Sequence, residues 1–203
     1  MLSSDQSPLH TIVLAAGAST RFGAPKQLAP LDGQPILRAV VDRAIKASSR
    51  RVVVVLGAHA SDIAPVLRSS PASVVLNQDW KEGLASSIRV GMAQLPESCA
   101  GVMLLLGDQP AISVADLTRL SETWGRHPDH IVAAQYACTM GAPAIFPRMM
   151  FAALRQLHGD HGAKELLWTR PERVVGVALA RAALDVDVTG DLIALSTTVN
   201  QEL

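Results

Sequence analysis

The chain has 203 residues, 49% of them hydrophobic, and its 18 Lys and Arg balance its 18 Asp and Glu to a formal charge of zero. That length is enough for one sizeable core and favours a single domain over residues 1–203, while the zero balance removes any chain-wide electrostatic case for binding nucleic acid or an anionic membrane. Cys99 and Cys138 belong to no C-x-x-C pair and read as buried free thiols; the first ten residues contain Asp5 and no long apolar run, and no segment is an unbroken apolar stretch of spanning length, so a cytoplasmic protein is expected.

In chain order, residues 12–15 read as an apolar strand that runs straight into the loop Ala16-Gly17-Ala18-Ser19-Thr20-Arg21-Phe22-Gly23-Ala24-Pro25-Lys26. A strand ending in a small-residue loop with two cations brings backbone N–H groups, a guanidinium and an ammonium to a polyphosphate. No Gly-Lys-Ser/Thr follows, and Gly17 and Gly23 do not fit G-x-G-x-x-G spacing, so neither a P-loop ATPase nor a dinucleotide-binding dehydrogenase is indicated. Leu37, Val40, Val41, Ala44 and Ile45 then share one helical face, followed by a strand at Val52–Leu56, a short helix near 63–67 and a strand at 74–76. Leu84, Ile88, Gly91, Met92 and Leu95 mark a helix, 102–106 a strand, and Val114, Leu117, Leu120 and Trp124 another helix.

Beyond Trp124 the expected elements are a strand at 131–134, a Gly-Ala-Pro turn at 141–143, a short strand at 144–146, helices near 150–157 and 163–168, a strand at 174–177 and a terminal helix after Asp187. Strands apolar on both faces and alternating with helices indicate an α/β fold: a three-layer αβα sandwich around a mostly parallel, Rossmann-like sheet. Ligands of such sheets sit outside the carboxyl ends of the strands, where both residues 17–26 and 107–110 fall.

Asp108 follows the strand at 102–106, in Leu-Gly-Asp-Gln-Pro. A carboxylate there serves a turn before a proline or, beside a phosphate loop, supplies a hard oxygen to magnesium. Gly159-Asp160-His161-Gly162 reads locally as a turn and helix N-cap, Trp80 as a packing residue, Asp191 as a helix cap, and His59, His127 and His158 as histidines without a partner pattern. No H-E-x-x-H or G-x-S-x-G is present.

The string L-A-A-G-x-S-x-R-F-G-x-P-K-x-L resembles the signature of the nucleotidyltransferase superfamily. Three further segments, 77–88, 106–110 and 159–167, are similar to the molybdenum cofactor cytidylyltransferase family, so the likeness spans nearly the whole chain. The resemblance implies a nucleotide-diphospho-sugar transferase-like fold and transfer of CMP from CTP to the phosphate of molybdopterin or molybdenum cofactor, with a molybdenum hydroxylase as recipient of the product. It implies Mg2+ held by Asp108 and Asp187, with Asp185 as the alternate, because 184–191 is similar to a D-x-D-T-P-E-D segment whose Thr-Pro-Glu is here Val188-Thr189-Gly190. Arg21 and Lys26 would join Asp108 in catalysis. Leu14, Ala15, Ala16, Gly17, Ser19, Asn77, Gly83, Ser86 and Ser87 would bind the nucleotide together with Arg21 and Lys26, with Gly83 allowing close backbone approach to the base. Gly141, Pro143, Asp160 and Gly162 would edge the acceptor pocket. The same chemistry with GTP or a sugar phosphate, and a carrier that binds without turnover, are the alternatives this reading leaves open.

Overall fold

Uninterrupted β-branched and leucine runs give the computed structural model its central sheet; the model describes residues 9–20, 22–48, 51–160, 162–169 and 171–186. β1 (Leu9–Ala15) leads through the loop to a small ribbon, β2 (Pro30–Leu31) and β3 (Gln34–Pro35), and then to α1 (Ile36–Ser48). β4 (Val52–Leu56), α2 (Ala60–Ile63), β5 (Ser73–Leu76), α3 (Leu84–Met92) and β6 (Gly101–Leu106) complete the first half. α4 (Val114–Arg126), β7 (Ile131–Tyr136), β8 (Thr139–Pro147), α5 (Phe151–Arg155), α6 (Lys164–Thr169) and β9 (Val174–Ala178) follow. α4 starts sharply because Ser113 and Asp116 form a reciprocal capping box.

The seven-stranded sheet has the order β5-β4-β1-β6-β8-β7-β9, in which β8 alone runs against the others. One face packs Val13, Val54, Met103 and Leu105 against Leu37, Val41, Leu117 and Leu120 of α1 and α4. The other packs Ile12, Leu14, Val55, Leu104 and Phe146 against Ile88, Met92, Leu154 and Leu167 of α3, α5 and α6. This is the expected mostly parallel αβα sandwich. The chain runs outward from β1 to β4 and β5, then returns to place β6 on the other side of β1, so the sheet switches direction between β1 and β6. Crevices form at such a switch point, outside the strands' carboxyl ends.

The second half corrects two expectations. Residues 141–143 are no turn: they lie inside β8, and the chain reverses at Ala137 and Cys138, both at positive φ (44° and 60°) between the paired Tyr136 and Thr139. Two consecutive positive-φ residues match the right-handed twist of a tight hairpin, and here neither is the Gly or Asn that usually announces it. Pro143 is accommodated because pairing jumps from Ala133↔Ala144 to Ala134↔Gly141, a bulge where no ladder N–H is required. Cys138 is exposed on this turn rather than buried, while Cys99 is buried as expected. Burial raises the Cys99 thiol above its ordinary pKa, with contacts to Gly101 and His10 backbone opposing the shift. No described helix is long and apolar enough to cross a membrane. The helix expected after Asp187 lies outside the described residues, as do Arg21, Asp187 and Asp191.

Candidate active site

The carbonyls at the start of the loop after β1 are engaged by other parts of the protein. Leu14 C=O accepts from Gly107 N–H (2.9 Å), Ala16 C=O from Ala58 N–H (3.0 Å) and Ser19 C=O from Phe22 N–H (3.0 Å). Ala15 and Gly17 carbonyls accept from the Gln27 amide nitrogen at 3.4 and 3.2 Å. Among the described residues, no acceptor faces the N–H groups of Ala16, Gly17, Ala18, Ser19 or Thr20. Successive outward N–H groups on a strand-to-loop turn make a concave anion site. A Cβ at Gly17 would meet nothing within 4 Å, so the surface there is open to a ligand.

Gln27 is the residue that reading the sequence did not single out. It is 3% exposed, and while its amide nitrogen holds two loop carbonyls its Oε1 accepts from the Ser19 hydroxyl at 3.2 Å. Ser19, at φ 54°, also accepts from the Lys26 backbone N–H at 3.3 Å. Its only sequence signal was position, next to the Lys of the Pro-Lys step. Replacing Gln27 by alanine strips the buried Ala15 carbonyl, the part-buried Gly17 carbonyl and the Ser19 hydroxyl of their partner, a loss of about 1–3 kcal/mol for the buried group and less for the others. The expected result is nucleotide affinity lowered at least about tenfold, measured by calorimetric titration, and not restored in Gln27→Glu, whose carboxylate can accept from Ser19 but can donate to neither carbonyl.

Asp108 stands at the carboxyl end of β6, beside this loop, because β1 and β6 pair in parallel with Leu14 opposite Leu106. Gly107 lets the strands close up there: a Cβ on it would stand 2.9 Å from Ala15 Cβ and 3.2 Å from the Leu14 carbonyl. The Lys26 ammonium meets Asp108 Oδ2 at 2.6 Å, with side chains 15% and 23% exposed, whereas the buried Oδ1 has no hydrogen-bond partner. The Asp108 carbonyl accepts from Val186 N–H at 3.0 Å, and the adjacent Gln109 amide donates to Ala182 C=O at 3.1 Å. These bonds dock the segment 182–186, which leads to Asp187, against the loop of Asp108.

Loop and β6 end enclose a cleft of about 510 Å³. Leu14, Ala15, Ala16, Gly17, Ser19, Lys26, Gly83, Ser87, Asp108 and Asp160 all line it, and so do Trp80 and Lys81, which put an indole and a further ammonium on its wall. Lys81 Nζ lies 5.5 Å from the Trp80 ring centre.

Asn77 and Ser86 do not line this cleft. Both are buried, the Asn77 side-chain nitrogen donating to Ser86 Oγ (2.8 Å) and Ser87 Oγ (3.0 Å) and its Oδ1 accepting from Asp79 N–H (3.0 Å). They pin the turn that carries Trp80 to the start of α3. Ser86 sits inside α3, and its hydroxyl is used by Gly83 C=O at 2.8 Å. Gly83, at φ 112°, does permit a close backbone approach, but the approaching backbone belongs to the protein: a Cβ there would stand 2.6 Å from Gly159 O and 2.7 Å from Asp160 N.

The four residues expected at the acceptor rim are separated by the fold. Asp160 faces the first cleft, Gly141 and Gly162 line a second of about 180 Å³, and Pro143 is buried and lines neither. The second cleft shares Leu14, Leu84 and Leu106 with the first, so the two adjoin along those side chains. Its remaining wall is mostly apolar, with Ile88, Leu104 and Phe146, and it offers the Tyr136 phenol and the Lys164 ammonium. Desolvation, helped by the Asp185 charge, raises the Tyr136 pKa above its ordinary value, which keeps the phenol a donor.

The family model that matches this chain is the MobA-like NTP transferase domain, over residues 11–174. The chain is 31% identical to nicotine blue oxidoreductase of Paenarthrobacter nicotinovorans over 79% of its own length and 81% of that protein's. It is 29% identical to the bifunctional protein GlmU of Sorangium cellulosum, spanning 89% of this chain and only 40% of that relative. The crystal structure of Rv0371c from Mycobacterium tuberculosis H37Rv superposes with a TM-score of 0.83 at 32% identity, covering 94% of this chain and 98% of that one. A structure of Rv0371c in complex with manganese superposes at 0.79, with 31% identity and the same coverage. Nucleotide-phosphate transfer is the chemistry for which an amide-lined loop, a lysine and a strand-end aspartate are suited, and by sequence and fold together the chain belongs to the MobA-like NTP transferase family.

Proposed function

We propose that this nucleotidyltransferase moves CMP from CTP to the terminal phosphate of molybdopterin or its molybdenum-loaded form, with release of pyrophosphate. The observation that carries the reading is the convergence, in one cleft, of five loop amides without acceptors among the described residues, Lys26 and Asp108. The loop amides and Lys26 hold the triphosphate, and with Arg21 they stabilise charge on the α-phosphoryl and the departing pyrophosphate. A phosphate oxygen of the acceptor forms the new P–O bond at the α-phosphorus, and the bond to the β-phosphate bridging oxygen breaks with its electron pair leaving on pyrophosphate. The acceptor phosphate is already a competent nucleophile, so positioning and electrostatics suffice.

Asp108 suits a divalent cation: its Oδ1 is a buried, hard oxygen without a hydrogen-bond partner. Among the described residues no three His, Cys, Asp or Glu gather into a cage, and magnesium asks for few protein ligands when phosphate oxygens complete its shell. Asp108 and Asp187 would hold Mg2+, with Asp185 as alternate to Asp187; the ion would supply charge neutralisation across the phosphates. Manganese in the Rv0371c complex supports a divalent ion of this kind.

The second cleft supports a flat-bodied acceptor over a sugar phosphate. A sugar hydroxyl buried against Leu104, Ile88 and Phe146, away from the Tyr136 phenol and the Lys164 ammonium, would lose water without gaining a partner, a cost of about 1–3 kcal/mol per group. An acceptor seated there with its phosphate ester extended past the shared Leu14 and Leu106 would reach the cleft that Asp108 lines. Pyrophosphate release by the purified protein with Mg2+, pterin acceptor and CTP tests the proposal. Turnover with CTP should exceed that with GTP by at least about tenfold. Equal turnover removes the cytidylyl assignment, turnover with a hexose phosphate and none with the pterin removes the acceptor, and binding without any release identifies a carrier.

A further inference from the structure

We propose that Lys26 is the resident counter-ion of Asp108 and makes divalent-metal binding conditional on the nucleotide, an inference that rests on the metal role given to Asp108 above. The ammonium sits 2.6 Å from Asp108 Oδ2, in a cleft where both side chains are largely shielded. The other oxygen, Oδ1, is buried and has no hydrogen-bond partner among the described residues. A divalent ion that enters alone therefore meets a carboxylate whose charge is already balanced, and must settle within a few ångströms of a fixed positive charge. In a partly dry cleft that repulsion is large enough to change affinity by at least about tenfold.

An ion that enters with a triphosphate meets a different situation. The phosphate oxygens offer the ammonium a new anionic partner, so Lys26 exchanges Asp108 for phosphate and the carboxylate passes to the metal. The geometry allows this exchange without moving the loop. Lys26 opens the short turn Lys26–Leu28, and its backbone N–H is anchored on Ser19 Oγ. Gln27, next to it, is buried and bonded to Ala15 and Gly17. The backbone is held while the four-carbon stem can change rotamer, carrying a compact ammonium that fits either anion without the planar geometry a guanidinium requires. Lys26 thus has two successive anions to serve, and the switch between them couples metal and nucleotide binding in both directions.

The test is a Mn2+ titration of the full chain, followed by the electron paramagnetic resonance signal of free Mn2+, with and without CTP and with no acceptor present. Without CTP, Lys26→Met and Lys26→Gln should bind Mn2+ at least about tenfold more tightly than the unmodified protein, and CTP should improve their Mn2+ affinity less. Lys26→Arg, which keeps the charge, should stay close to the unmodified protein without CTP. Lys26→Gln retains a hydrogen bond to Asp108 and guards against a variant that fails to fold, checked by a thermal melt. Mn2+ affinity without CTP that is unchanged or lower in both neutral variants overturns the counter-ion role. Asp108→Asn separates the two ideas: weakened Mn2+ binding with CTP in that variant, alongside unaltered Lys26 variants, defeats only the counter-ion role. Unweakened Mn2+ binding in Asp108→Asn defeats the metal assignment and the counter-ion role together.

Discussion

Asp108→Asn is expected to lower turnover by at least about a hundredfold while leaving the melting temperature within a few degrees of the unmodified protein. The substitution keeps side-chain volume and shape, so the packing of Gly107 against Ala15 and the Val186 bond to the Asp108 carbonyl remain. It removes one charge that no other described carboxylate at the β6 end replaces, and it releases Lys26 from its 2.6 Å ion pair. Pyrophosphate release at saturating Mg2+ measures the effect. Near-normal turnover would show that Asp108 serves the turn before Pro110 and not the chemistry.

The second large effect is expected from Gly83→Ala. Gly83 has φ 112° and ψ −174°, a region that only glycine occupies without strain. The added methyl would also stand 2.3 Å from Asp160 Oδ1 and under 3 Å from two backbone atoms of residues 159 and 160. Strain of about 1–3 kcal/mol adds to the clash, and a chain of this size loses roughly 2–4 °C of melting temperature per kcal/mol. The backbone contact between Ala85 N–H and Gly159 C=O, at 3.1 Å, holds the start of α3 to the 159–160 turn, and both border the first cleft. The expected result is therefore a melting temperature lowered by at least about 5 °C together with a raised KM for the nucleotide. A variant with unchanged melting temperature and KM would mean that the turn is not held in place through Gly83.

Much of the site was legible because its parts are consecutive in the chain. The candidate phosphate loop is one unbroken stretch of sequence from Leu14 to Lys26, so small residues and cations in order were enough to mark it. Asp108 was legible for the same reason, as the residue just past an apolar strand. What misled was the assumption that a residue in a matching segment reaches the ligand itself. Asn77 and Ser86 are spent on one another and on nearby backbone, and Gly83 makes room for residue 160, a contact between distant segments that no local pattern encodes. The β7–β8 turn was missed because Ala137 and Cys138 adopt positive φ under tertiary constraint, while the Gly-Ala-Pro that looks like a turn is absorbed by a bulge.

By itself the sequence determined an α/β chain with a small-residue, cation-bearing loop after its first strand, since apolar runs, helical periodicity and loop composition are local properties. Only the tertiary structure decided which groups work together. Lys26 and Asp108 meet because β1 and β6 are adjacent, parallel and in register at Leu14 and Leu106, which brings the loops after both strands to one edge. Gln27 became a brace only when the Ala15 and Gly17 carbonyls folded over it. The apolar second cleft exists because α3 and α6 stand apart over the β1, β6 and β8 face, and a gap between helices is fixed by packing across the whole layer, which no single segment carries.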